Sequence, residues 1–127
     1  MSQTLFPTLS FRDARAAIEF LERTLGAERV VVYDSEDGRV AHAEIRIGQS
    51  TFMCGDARPG SPATPPGQSC VYVVVEDADA AHERARAAGA QISELIDTDY
   101  GSRDFTVTDP EGNRWSLGTY PGAGAAG

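Results

Sequence analysis

Hydrophobic positions along the chain follow two rhythms, and the order of those rhythms is stated twice. Between Asp13 and Gly26, the residues Ala14, Ala17, Ile18, Leu21 and Leu25 recur at the spacing of one helix face. Asp13 can accept from a free amide of the first turn, and Gly26 follows the last periodic residue, where a left-handed conformation ends a helix. Upstream, Leu5 to Phe11 has strand composition, and Pro7 removes one ladder donor, which suits an edge or a strand start. Downstream, three segments read as strands: Arg29 to Tyr33, Val40 to Gly48 and Ser50 to Cys54. A turn at Asp34–Gly38 parts the first two, and Gly48-Gln49 parts the last two.

A Pro- and Gly-rich stretch, residues 57–68, then interrupts both rhythms and reads as a connector. After it the order restarts. Cys70 to Val75 is a strand, Asp77 to Gly89 a helix, and Ala90 to Ile96 and Ser102 to Thr108 are strands. A turn Asp109-Pro110-Glu111-Gly112-Asn113 leads to a last strand, Arg114 to Tyr120. The letters repeat with the elements: Asp13, Gly26 and Gly48 return 63 or 64 residues later as Asp77, Gly89 and Gly112. The competing explanation is chance similarity in an Ala-rich chain, but the matching order of elements favours a β-α-β-β-β unit written twice. Two copies are too few for a solenoid and must pair with each other. The division expected is a first module at 1–56, a linker at 57–68, a second module at 69–120 and a flexible tail at 121–127, all in one domain.

Composition narrows the function classes. With 127 residues, 41% hydrophobic and 24% charged, the chain has the makeup of an ordinary folded domain. A net charge of −8 and a pI near 4.6 oppose nucleic acid and anionic membrane surfaces, both of which need a basic face. No apolar run approaches a membrane span, and the first residues lack the basic start of a signal peptide. Cys54 and Cys70 are too few for a disulfide framework, which favours a cytoplasmic setting.

Three segments carry a family resemblance: the strand-then-helix opening FPTLSFRDARAAIEFLERTLGA, its return CVYVVVEDADAAHERARAAGA, and the close YGSRDFTVTDPEGNRWSLGTY. They resemble the vicinal oxygen chelate superfamily, which includes glyoxalase I, extradiol dioxygenases, and fosfomycin- and bleomycin-resistance proteins. The resemblance implies an α+β fold. Two βαβββ modules form open curved mixed sheets with helices on the outer face and a ligand site in the cup. It also implies a homodimer. In the metalloenzymes of that superfamily four side chains at matched positions hold a divalent ion. Carried over by position, those are Phe6, Phe52 (or Met53, one residue on), Cys70 and Ser116. Hydrocarbon rings cannot ligate, and a cysteine with a serine cannot hold a divalent ion alone. The expectation is therefore a site with no metal and no cofactor.

Strand alternation sketches what the cup holds instead. The expected ligand-binding residues are Phe6, Thr8, His42, Glu44, Phe52, Cys70, Tyr72, Thr106 and Ser116, with Cys54, Val74, Asp104 and Arg114 on the same faces. Such a lining suits a small-molecule pocket. His42 is the group best placed to titrate near neutral pH, and Glu44 two positions along could orient it as a base. The plainer reading of that pair is a solvated strand face or a dimer rim. His82 reads as exposed, Cys70 as a small buried hydrophobe, Arg103 as structural, and Ala81, Ala85 and Ala88 as helix core. Two functions follow. One is a metal-independent binding protein of the bleomycin-resistance kind that sequesters an antibiotic or metabolite, its acidic surface favouring a cationic ligand. The alternative is a glyoxalase-like lyase or isomerase working through His42.

Overall fold

Asp13 and Asp77 each stand one residue before a helix, and each carboxylate accepts from the amide three residues on, Ala16 at 3.1 Å and Ala80 at 3.0 Å. From these two caps the computed structural model, which describes residues 2–125, unfolds as two similar halves. The first half runs β1 (Thr8–Phe11), α1 (Ala14–Leu25), β2 (Glu28–Asp34), β3 (Val40–Ile47) and β4 (Ser50–Asp56). The second runs β5 (Cys70–Val74), α2 (Ala78–Ala87), β6 (Gln91–Ile92), β7 (Ile96–Asp97), β8 (Arg103–Thr108) and β9 (Arg114–Gly118). The first sheet has the order β1-β4-β3-β2 and the second β5-β9-β8-β6, with β7 also on β8. In each, the pair next to the helix-leading strand is parallel and the rest are antiparallel. The α+β fold of two βαβββ-type modules with open mixed sheets is thus observed.

Each helix lies across the back of its own sheet, and the two backs meet. Leu9, Phe11, Ile18, Leu21, Ile45 and Phe52 from the first half join Phe105, Val107, Trp115 and Leu117 from the second in one buried cluster. Phe52 and Trp115 touch across the middle, ring centroids 5.5 Å apart. Because the helix-covered faces share this core, the other face of each sheet is left open, pointing away from it. Burying a side chain such as Phe52 contributes about 2 to 3 kcal/mol, so alternation along β4 is decided by the core.

Two buried carboxylates fix the corners. Asp56 accepts from Ala14 N at 2.9 Å and Val40 N at 2.6 Å, tying β4 to the start of α1 and of β3. Asp109 accepts from the amides of Glu111 and Asn113, from Asn113 Nδ2 and from Trp115 Nε1. It therefore organises its own turn and anchors the largest core ring. From the tip of that turn, the Glu111 carboxylate accepts from Arg12 N at 2.6 Å and Asp13 N at 3.0 Å, clamping the second half onto the first.

Three expectations change. The strand foreseen over Ala90–Ile96 is broken into β6 and β7, because Ser93 Oγ accepts from Thr106 N at 2.8 Å while Ser93 N donates to Thr106 O. A side chain takes a carbonyl's place in the ladder, and the main chain leaves it. The opening strand begins only at Thr8, so Leu5 and Phe6 lie ahead of it, although Pro7 O still accepts from Met53 N. Ala88 is exposed, because α2 ends at Ala87 and Ala88 serves as its cap. In the segment read as a flexible tail, Ala123–Ala125 form a short 3-10 turn, and residues 126 and 127 lie outside the described residues. No helix among the described residues is long and apolar enough to cross a membrane.

Candidate functional site

The open face of the first sheet is built by the register of four strands. Thr8 lies beside Met53, Met53 beside Glu44, and Glu44 beside Val31, while His42 lies beside Tyr33. His42 Nε2 and Glu44 Oε2 are 2.9 Å apart, and the Tyr33 ring stacks on the imidazole at 6.2 Å with an interplanar angle of 18°. A shallow hollow of about 180 Å³ opens beside this group, lined by Thr8, Ser10, His42, Met53 and linker residues Arg58 and Ser61. The expected meeting of Thr8, His42 and Glu44 on one face is present.

Phe52 is not on that face. It is 7% exposed and packs on Trp115, and Met53 takes the open position. Cys54 follows Phe52 into the core, beside Leu9 and Ala43, and burial with the nearby Asp56 charge pushes its thiol up to about 12. The reason is turn length. Two residues, Gly48 and Gln49, join β3 to β4, whereas five, Asp109 to Asn113, join β8 to β9. One fixed repeat spacing cannot serve both sides of turns that differ.

The open face of the second sheet is richer. Tyr72, Ser116 and Thr106 lie side by side across β5, β9 and β8, with Thr106 Oγ1 and Ser116 Oγ 3.4 Å apart. Tyr72 OH donates to Asp104 Oδ1 at 3.4 Å and accepts from Tyr120 N at 3.2 Å, and Ser102 Oγ also bonds the Asp104 carboxylate. Gly118 makes this meeting possible: a Cβ there would fall 1.9 Å from Asp104 Oδ1 and 2.3 Å from Tyr72 OH. An open pocket of about 520 Å³ stands over the group, lined further by Ile96, Tyr100, Ser93 and Glu94. Tyr100 and Tyr120 meet edge to face at 5.6 Å. Sequence reasoning missed Ser93, Ile96 and Tyr100. They sit in and beside the broken strand, where alternation gives no signal; the Tyr100-Gly101 turn before β8 was the available clue.

Other expected residues fall differently. Cys70 is exposed at the start of β5, opposite Arg114, because its side chain stands on the open face with Tyr72 and Val74. Phe6 is 37% exposed and precedes the strand. His82 is half-buried rather than exposed, its ring edge-on to Phe105 at 4.9 Å and its Nε2 3.1 Å from Ser93 O, since α2 lies over β6 and β8. Arg103 bridges Asp79 on α2 and Asp97 on β7, a structural post that holds its guanidinium more firmly protonated through those two carboxylates.

The residues do not fit a divalent metal. The four matched positions hold Phe6, Met53, Cys70 and Ser116, drawn from two sheets whose open faces are turned away from a shared core. His42 and Glu44 bring only two donors together, and no group of three His, Cys, Asp or Glu converges among the described residues. What the second face offers instead is aromatic surface, two hydroxyls and a carboxylate in one hollow. That is recognition chemistry.

Residues 6–117 match the family described as the Glyoxalase/Bleomycin resistance protein/Dioxygenase superfamily. An uncharacterized protein of Mycobacterium bovis is 35% identical over 123 residues, spanning 90% of this chain and 81% of its own. Among solved structures, TioX from Micromonospora sp. ML1 superposes with a TM-score of 0.74 at 28% identity, covering 91% of this chain and 94% of its own. A glyoxalase-related enzyme from Clostridium phytofermentans gives a TM-score of 0.74 at 17% identity, over 93% of this chain and 95% of its own, a likeness of fold alone.

Proposed function

The chain belongs to the Glyoxalase/Bleomycin resistance protein/Dioxygenase superfamily, and from that premise we propose that it binds a small molecule without a metal ion, sequestering an antibiotic or metabolite in the cytoplasm. The observation that carries this reading is the pocket over the second sheet, where Tyr72, Tyr100, Asp104, Thr106 and Ser116 converge. Its volume of about 520 Å³ falls within the usual range for small-molecule sites, roughly 300 to 1,000 Å³. Tyrosine faces attract cations, and the Asp104 and Glu94 carboxylates add charge, so the ligand is an organic cation with aromatic or apolar surface.

The protein acts as a homodimer in this reading. Tyr33, Tyr72, Ile96, Tyr100 and Tyr120 are all exposed in the single chain, and a second copy laid over the open sheets would cover them and complete the site. Native mass spectrometry of chelator-treated protein with bleomycin and other cationic aromatic compounds tests both points. A dimer carrying stoichiometric ligand supports the proposal, and retention only after divalent metal is restored overturns it. A second reading, an isomerase or lyase, rests on one observation, the 2.9 Å hydrogen bond that pairs His42 with Glu44. For that reading, turnover of any substrate must be lost in His42→Ala.

A further inference from the structure

The two halves are joined at two equivalent places, and only one of them is filled. Where the β8–β9 turn meets the β1–α1 junction, Glu111 bonds the amides of Arg12 and Asp13, and the linker closes in so tightly that a Cβ on Gly67 would fall 2.3 Å from Glu111 O. Thr64 of the linker also bridges Leu9 on the edge of β1. At the equivalent place in the other half, the β3–β4 turn approaches the β5–α2 junction, and there the chain leaves a cleft of about 800 Å³. Leu5, Ile47, Phe52, Val71, Val73 and Trp115 give it apolar walls. Gln3, whose side chain bonds both the N–H and the carbonyl of Thr51, holds the N-terminal segment along one side.

The mouth of the cleft carries one ionised group, Glu76. Its neighbours are already engaged: Asp77 caps α2, and Asp79 bonds Arg103. Glu76 makes no ion pair among the described residues.

We propose that this cleft between the modules is a second binding site, sharing only Tyr72 with the pocket over the second sheet, for an amphipathic organic cation: a linear or aryl hydrocarbon body ending in an ammonium group. The hydrocarbon lies on Leu5, Ile47 and the two valines of β5, above the buried Phe52 and Trp115 rings, removing apolar surface from water, and the ammonium reaches Glu76. An anionic amphiphile is disfavoured by the same carboxylate. The filled counterpart explains why the site occurs once: Glu111 and the linker occupy its twin.

Trp115 is the only tryptophan of the chain and lies under this cleft, so its emission reports on it directly. The test titrates the protein with octylamine, octanol and octanoate while following that emission. The expected result is a saturable change for all three, with octylamine about fivefold tighter than octanol, the size of one exposed charge interaction, and octanoate weakest. Glu76→Gln should bring octylamine to the level of octanol, and Leu5→Ala should weaken all three. Both positions are exposed, so neither change threatens the fold. Emission that stays unchanged, or an amine preference that survives Glu76→Gln, overturns the proposal.

Discussion

The two modules share a backbone plan and differ in what they place on their open sheet faces. Both begin a helix with an aspartate cap and both contribute inward strand side chains to one core. On the first face the central feature is a hydrogen-bonded His42–Glu44 pair beside a hollow of about 180 Å³. On the second it is a cluster of tyrosines, hydroxyls and Asp104 under a pocket of about 520 Å³. Folding constrains caps and inward positions tightly, because each carries stability; it leaves outward positions free to diverge. The modules are therefore most alike at their caps and inward positions and least alike on their open faces.

That contrast can be broken deliberately. The largest effect is expected at Asp109, which is 4% exposed and satisfies four donors. Asp109→Ala should lower stability by about 3 to 5 kcal/mol, read from urea unfolding, whereas Gln49→Ala in the shorter turn of the first module should stay within about 0.5 kcal/mol. The next effect is on recognition: Gly118→Ala drives a methyl group into Asp104 and Tyr72, so ligand retained at the second sheet should be lost while His42→Ala leaves it bound.

The cysteines separate the buried side of one module from the exposed edge of the other. The Cys54 thiol, ordinarily near 9.0, is held up to about 12 by burial and the Asp56 charge. The folded state keeps a proton that the unfolded state gives up, so stability should be full below pH 9.0 and fall as pH rises from there toward about 12, by up to about 1.4 kcal/mol per pH unit. Cys54→Ala should remove that slope at alkaline pH. In the native protein a thiol reagent should label Cys70 rapidly and Cys54 only on unfolding. The smallest effects sharpen the likeness of the halves: Asp13→Ala and Asp77→Ala should each cost about 1 kcal/mol, seen as similar losses in thermal midpoint.

Much of this was legible in the sequence. Asp13 and Asp77 announced both helices, and alternation correctly sorted Ala43 and Ile45 from His42 and Glu44, and Phe105 and Trp115 from Thr106 and Ser116. The failures are physical and local. Phe52 was placed one residue out of phase because two turns of different length interrupt the repeat. The strand over Ala90–Ile96 broke because a serine hydroxyl can replace a carbonyl in a ladder, which composition does not announce. Tyr100 was missed because a residue outside regular structure is positioned by tertiary contact with Tyr120, not by period.

The central claim is recognition without a metal, and the melting temperature of exhaustively chelated protein tests it most directly. Against a panel of bleomycin-type and other cationic aromatic compounds, the account predicts that at least one raises the midpoint in proportion to the logarithm of its concentration, with the shift abolished in Gly118→Ala. A panel that leaves the midpoint unmoved until a divalent metal is added would contradict it.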